Sequence, residues 1–299
     1  MWQVLLLAVC TAIAFDISTV LIKYYSPLFM IGSQSIISGI LIMSLHHSTV
    51  RAVQNDIILY KKELLLAVFF GFVIPLMVSP ILLDQLAPVD ISIIGSTQPL
   101  LIYFFAYLFF GERLINKQLF FLCLGVFFSF AAIIIESGVE RVSLISWREP
   151  ILLIATMLLA FSWLTISRIV RRFKDIEDIE DVIAGLGFIA TGIISLGLAL
   201  STEKIRFSLK LIPFGLFLLA MVLEHLIVIR MRAKFSRKYS QTLLGLLNIF
   251  SPFIVGLHEV IFNKHHYSWK FFGLLVPSLI CFGIFYYLET NYNQAKSNP

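Results

Sequence analysis

Charge is what this sequence has little of. Only 14% of its 299 residues are Asp, Glu, Lys or Arg, against 59% hydrophobic, and the mean hydropathy is +0.92. A water-facing surface needs far more charge than this, so a soluble globular protein is excluded. Cysteine is nearly absent too. Cys10, Cys123 and Cys281 all fall inside apolar runs where nothing aligns them to bridge or to bind metal, and they read as small packing residues. Apolar runs fill so much of the chain that no room is left for a separate soluble catalytic or receptor domain, and any chemistry belongs between the runs. There is no phosphate-binding glycine loop with Lys-Ser/Thr, no HExxH, no Cys-x-x-Cys and no GxSxG. Direct use of ATP and enzymatic activity are therefore not expected, nor is any cofactor or metal. His46-His47 and His265-His266 fall in loops without acidic or Cys neighbours and read as solvated. The net charge of +5 would suggest nucleic acid in a soluble protein, but the basic residues gather in alternate loops, which membrane topology explains.

What the chain does have is a succession of apolar segments of bilayer-crossing length. Polar punctuation places ten, near residues 2–22, 28–45, 63–83, 88–110, 117–136, 150–169, 182–200, 210–230, 240–262 and 271–288. The fold class expected is an all-α polytopic membrane protein. The opening MWQVLLLAVCTAIA lacks the basic n-region of a signal peptide and has a counterpart later in the chain, so it is counted as the first span. With the N-terminus inside, about 15 of the 23 Lys and Arg residues lie in cytoplasmic loops and the C-terminal tail. Arg51, Lys61, Lys62, Arg171, Arg172, Lys174, Arg230, Arg232, Lys234, Arg237 and Lys238 are among them. Both termini are therefore expected in the cytoplasm.

The second half repeats the first. AFDISTVLIK (14–23) aligns with AFSWLTISRI (160–169), sharing Ala-Phe and Thr19/Thr165. GERLINKQLFFLCLG (111–125) aligns with HEVIFNKHHYSWKFFG (258–273), pairing Glu112 with Glu259, Asn116-Lys117 with Asn263-Lys264 and Gly125 with Gly273. Five spans per copy is an odd number, so the copies, residues 1–146 and 147–299, insert in opposite orientations as two inverted five-helix repeats. Such repeats place a solute site at their interface near mid-membrane.

The stretch QPLLIYFFAYLFFGERLINKQLFFLCLGVFFSFAAIII (98–135) resembles the proline-bearing fourth span, Gly-Glu loop and glycine-bearing fifth span of the drug/metabolite transporter superfamily, in its ten-span EamA-type branch. The resemblance implies transport of a small organic solute by alternating access, with spans one, three, four, six, eight and nine lining the cavity. Family members often carry an Arg early in the second span, where this chain has Gln34.

An ionised side chain inside a bilayer costs several kcal/mol, so each must face the bundle interior, a partner or water. Asp16 lies in the later half of the first span, with Thr19 and Lys23 on the same helical face. Glu224 and His225 sit mid-way along the eighth span and point about 100° apart. Asp16 and Glu224 are the expected substrate-binding and proton-coupling carboxylates. Gln34, Gln98, Ser162 and Asn248 would add neutral hydrogen-bonding groups, and Trp163 a stacking surface. The ninth span carries a polar stripe of Gln241, Gly245, Asn248, Ser251 and His258; the fourth carries Asp90, Ser96, Thr97 and Gln98. Pro99 and Pro252 each remove a backbone donor and offer a hinge or exposed carbonyls, as Pro75 and Pro80 do in the third span. Glu112 and Glu259, near the membrane surfaces, are expected to fix loops or a gate. Gly32, Ser35 and Gly39, with Gly185 and Gly192, have the spacing of close helix contacts.

More acids than bases in this cavity favour a cationic or zwitterionic, amino-acid-like solute. The family resemblance implies export across the cytoplasmic membrane, and carboxylates at depth that alternate between proton and solute favour proton exchange. A nucleotide-like or other anionic solute would need a cavity cation, for which Lys23 is the candidate. A lipid-handling protein would instead need a lateral cleft lined by Trp163 and phenylalanines.

Overall fold

The computed structural model describes residues 2–52, 61–83, 86, 88–111, 116–137, 147–173, 176, 178–236, 241–245, 250–262 and 268–297. Among these, every regular element is a helix. They are α1 (Trp2–Leu21), α2 (Pro27–Leu45), α3 (Lys61–Val68), α4 (Ile74–Leu83), α5 (Pro88–Ser96), α6 (Gln98–Phe110), α7 (Asn116–Ser137), α8 (Arg148–Arg172), α9 (Ile179–Thr202), α10 (Leu211–Met221), α11 (Arg230–Phe235), α12 (Gln241–Gly245), α13 (Phe250–Phe262) and α14 (Trp269–Ser297). A π-helical segment, Phe69–Val73, joins α3 to α4, and a second, Val222–Ile229, joins α10 to α11. Helices close their backbone hydrogen bonds internally, which a chain surrounded by hydrocarbon requires.

Six described stretches are long and apolar enough to cross a bilayer: Pro27–Leu45, Lys61–Leu82, Arg148–Arg172, Ile179–Thr202, Leu211–Phe235 and Trp269–Leu288. Val9–Leu21, Ile93–Phe109 and Asn116–Ala132 are shorter apolar helices. Large apolar side chains crowd the outside, with Leu65 at 69% exposure, Phe127 at 64% and Leu200 at 73%. That surface is soluble only in lipid, and the molecule is an all-helical polytopic membrane protein.

Two helix pairs form its tightest contacts. Where α2 crosses α9, a Cβ on Gly39 would stand 2.9 Å from the Ile189 nitrogen and 3.0 Å from the Gly185 carbonyl, and one on Gly192 would stand 2.8 Å from the Ile36 nitrogen. Backbones this close admit only hydrogen at these positions, so the small-residue spacing does serve packing. Ser35 and Ser195 are fully buried in the same two helices. In the second pair, α7 with α14, the ring of Phe282 covers Gly125. There Ser278 donates to the Gly125 carbonyl at 2.8 Å and shares a 2.8 Å hydrogen bond with Ser129. Around these pairs, α1 packs on α13, α10 and the second π segment, while α8 packs on α6, α4 and the first π segment.

The start of α2 is held from segment 203–210. Glu203 accepts from the Leu28 and Phe29 backbone N–H groups at 3.1 and 3.3 Å, satisfying donors that a helix start leaves open. Ser26 accepts from the Arg206 N–H at 2.6 Å, and Tyr25 donates to the Ser208 carbonyl at 2.6 Å.

Gly39→Leu would force α2 and α9 apart. It should cost about 1–3 kcal/mol or more, the usual penalty for overpacking, read as a lower apparent Tm in detergent. Gly197→Leu, in the same α9 but facing open space, should leave the Tm unchanged.

Candidate functional site

Between α1, α2, the α3–α4 rod, α8 and the α10–α11 rod lies a cavity with room for about 200 Å³ of water-sized occupants. Its wall is mostly apolar: Phe15, Met30, Ile31, Phe72, Leu76, Leu159 and Val228, with Pro75 and Pro80. Thr11, Ser18 and Ser79 supply hydroxyls, and Trp163 an indole. Among the described lining residues Glu224 is the single carboxylate and Arg232 the single cation.

Both π segments reach this wall, through Gly71 and Phe72 on one rod and Glu224, Val228 and Ile229 on the other. The first has a cause in the sequence. Pro75 has no N–H to offer the Gly71 carbonyl four residues back, so the ladder widens and the Ile74 N–H bonds to the Phe69 carbonyl instead. The absence of a side chain at Gly71 also lets α8 approach: a Cβ there would collide with Ser162. No comparable sequence signal marks the second π segment.

Arg232 is the residue that sequence reasoning misplaced. Counted there among cytoplasmic loop cations, it is only 7% exposed and its guanidinium carbon lies 4.5 Å from the centre of the Trp163 ring. Nη2 donates to Gln98 Oε1 at 3.2 Å. Gln98 is available because the helix is interrupted there: α5 ends at Ser96, Thr97 is a turn, and α6 restarts with Gln98 and Pro99. Nε of Arg232 and Nε1 of Trp163 are buried without a protein partner among the described residues. Stacking on the indole face and one amide oxygen therefore orient the guanidinium without neutralising it.

The other expected site residues divide. Glu224 and Trp163 line the cavity. Gln98 touches it only through Arg232. Asp16 is 8% exposed, buried in α1 and not among the cavity's lining residues. Gln34 is fully buried and donates to the Phe217 carbonyl at 3.0 Å, tying α2 to α10. Ser162 is likewise fully buried and donates to the Ala67 carbonyl at 2.7 Å, a contact between α8 and α3. Asn248 and Glu112 lie outside the described residues, as do His265 and His266. Glu259 falls within α13, and Pro252 is buried near the start of that helix. Span two contributes to the wall through Met30 and Ile31; spans four and nine supply none of its described lining residues, which corrects the expectation drawn from resemblance. His225 turns away from the cavity, sharing a 3.0 Å hydrogen bond with Ser35 and packing on Phe188.

His46 also needs correction, because it is not a free loop residue. Folding brings Asp178 and Asp181, at the start of α9, against it at 3.3 Å each. Arg230 grips Asp181 with two bonds, Nε to Oδ1 at 2.6 Å and Nη2 to Oδ2 at 2.8 Å, and also donates to His46 Nε2 at 2.9 Å. Lys234 closes the group, 3.1 Å from Asp178 and 3.4 Å from Asp181. Burial pushes the Asp178 carboxyl up, but the hydrogen bond and charge of Lys234, with His46 and Arg230, outweigh it and hold the carboxyl below its ordinary value. Both acids are balanced by Arg230 and Lys234, which leaves no net negative charge to attract a metal ion. The cluster locks the end of α2 to α9 and α11.

Apolar helical spans around an interior cavity that holds one carboxylate and one guanidinium define an all-helical, multi-pass membrane protein. Residues 1–135 match the model of the EamA-like transporter family. A solved crystal structure with 15% identity has a similar fold over 95% of this chain and 95% of its own, with a TM-score of 0.67. No curated protein matches the sequence.

Asp181→Asn should strip Arg230 of its bidentate partner in a buried setting. A loss of about 3 kcal/mol is expected, seen as a clear fall in the Tm of the purified protein.

Proposed function

We propose that this chain is a secondary transporter of the EamA type that moves a small, amino-acid-like, cationic or zwitterionic solute across the cytoplasmic membrane by alternating access, in the direction of export and coupled to protons. The observation that carries the reading is the cavity itself, a mostly apolar chamber holding one carboxylate, one guanidinium and an indole. Uncompensated charge in the membrane interior is rare outside solute and ion pathways.

The helix contacts are consistent with two inverted five-helix repeats, residues 1–146 and 147–299; the Lys/Arg bias of the loops is what favours both termini in the cytoplasm. Elements five spans apart meet as partners, α2 with α9 and α7 with α14. Cross-contacts come in reciprocal pairs: the first span on the eighth and ninth, the sixth on the third and fourth. Spans three and eight each contain a π segment beside the cavity. Reciprocal contacts of this kind are what two repeats related by a pseudo-twofold would make, and inverted repeats so related rock about a shared site. Pro99, at the restart of α6, and Pro252, near the start of α13, are the natural hinge positions; Glu112 and Glu259 serve the loops that follow.

In the cycle Glu224 holds a proton when the cavity lacks a cationic group and releases it to bind one, so solute and proton exchange at one carboxylate. Asp16, buried in α1 off the cavity wall, is the second candidate for carrying a proton. Arg232 gives an anionic solute an anchor that Lys23, exposed at the end of the first span, does not. A purely anionic solute would still have to face Glu224.

In proteoliposomes an imposed pH gradient should drive solute uptake by the parent protein. Glu224→Gln should abolish that drive at least tenfold. Undiminished pH-driven transport by Glu224→Gln and Asp16→Asn would remove the coupling mechanism.

A further inference from the structure

We propose that Arg232 is the recognition site for a carboxylate on the transported solute, so that the protein selects amino acids over the corresponding amines. This rests on the transport reading above and adds a subsite to it.

Three independent observations converge. First, Arg232 lines the cavity, is more than nine-tenths buried, and has no carboxylate in ion-pair reach among the described residues. A buried guanidinium without a counter-ion is costly, and the cost is relieved when an anion enters. Second, its position is built rather than incidental. The Trp163 ring lies 4.5 Å below it and Gln98 holds Nη2, leaving Nε unpartnered. Trp163 Nε1, on the same wall, is a further unpartnered donor. A carboxylate is the small anion whose planar pair of oxygens matches a guanidinium edge. Third, Glu224 lines the same cavity eight residues earlier, about 12 Å along an ideal helix, and no ion pair joins the two. Their side chains project into one space from one rod. A solute carrying both an ammonium and a carboxylate neutralises each of them, whereas an amine satisfies Glu224 alone and leaves Arg232 buried and unpaired. The apolar remainder of the wall, with Phe15, Phe72 and Leu159, accepts the solute's side chain.

The test uses matched pairs that differ by the carboxylate: L-phenylalanine with phenethylamine, and L-lysine with cadaverine. Binding to the purified full-length protein is read by thermal shift, and transport by uptake into proteoliposomes. The parent should bind at least one amino acid of the series, with an affinity about 10- to 100-fold above its amine, the range expected for a charge-assisted hydrogen bond. Arg232→Gln should erase that preference by weakening the amino acid and not the amine, and Arg232→Lys should restore part of it. Gln98→Ala, which leaves the cation in place, should reduce amino-acid affinity several-fold and serves if Arg232→Gln does not fold. Equal response to both members of a pair, or an unchanged preference in Arg232→Gln or in Gln98→Ala, would overturn the carboxylate site and leave transport standing. No binding or transport of any member by the parent would overturn the site together with the amino-acid reading.

Discussion

A carboxylate and a guanidinium held inside a lipid-facing helix bundle, with no counter-ion for either among the described residues, are the constraint on which the functional account depends. Burial keeps water from such groups, and an unpaired buried charge costs several kcal/mol. The surrounding structure must therefore be rigid enough to keep both groups in place and must leave space for something that pairs with them. Glu224 and Arg232 meet those terms on one rod, across a cavity walled mainly by apolar side chains. Stacking on Trp163 orients the cation without neutralising it.

Rigidity comes from the two glycine-mediated helix pairs and from polar clamps at both ends of α2. Glu203 satisfies the first amides of that helix, and the Asp181–Arg230 bridge with His46 and Lys234 fixes its other end. Departures from regular helix lie elsewhere. The π segments and the interruption at Thr97 are the sites where the helical ladder is altered, and all three adjoin the cavity or the residues that hold Arg232. Closely packed helix pairs beside rods with altered ladders are the division that the proposed rocking about a central site would use.

Much of the fold was legible because hydrocarbon imposes simple rules. Apolar runs of bilayer length marked helices, and Gly32, Gly39, Gly185 and Gly192 marked close contacts because their spacing repeats on one helical face. Glu224 and Trp163 were legible as polar and aromatic groups at depth. Arg232 was not, because it sits in a basic run that the bias of cytoplasmic loops explains equally well. Helical phase held the missing clue: Arg230 and Lys234 are four residues apart and share the face that meets Asp181, while Arg232, two residues from each, points the opposite way. His46 was missed for another reason, since its acidic partners lie more than a hundred residues along the chain. Ser162 and Gln34 looked like cavity donors, but each is spent on a backbone carbonyl of a neighbouring helix. Side-chain chemistry alone does not separate a group that glues helices from one that greets a solute.

The most direct measurement is the thermal stability of the empty protein when both charges are removed together. If Glu224 and Arg232 are held unpaired for a solute, the double variant Glu224→Gln/Arg232→Gln should melt above the parent in the absence of solute and gain nothing when amino acids are added. A double variant that melts below the parent when empty, or that is still stabilised by the same solutes, would contradict the account.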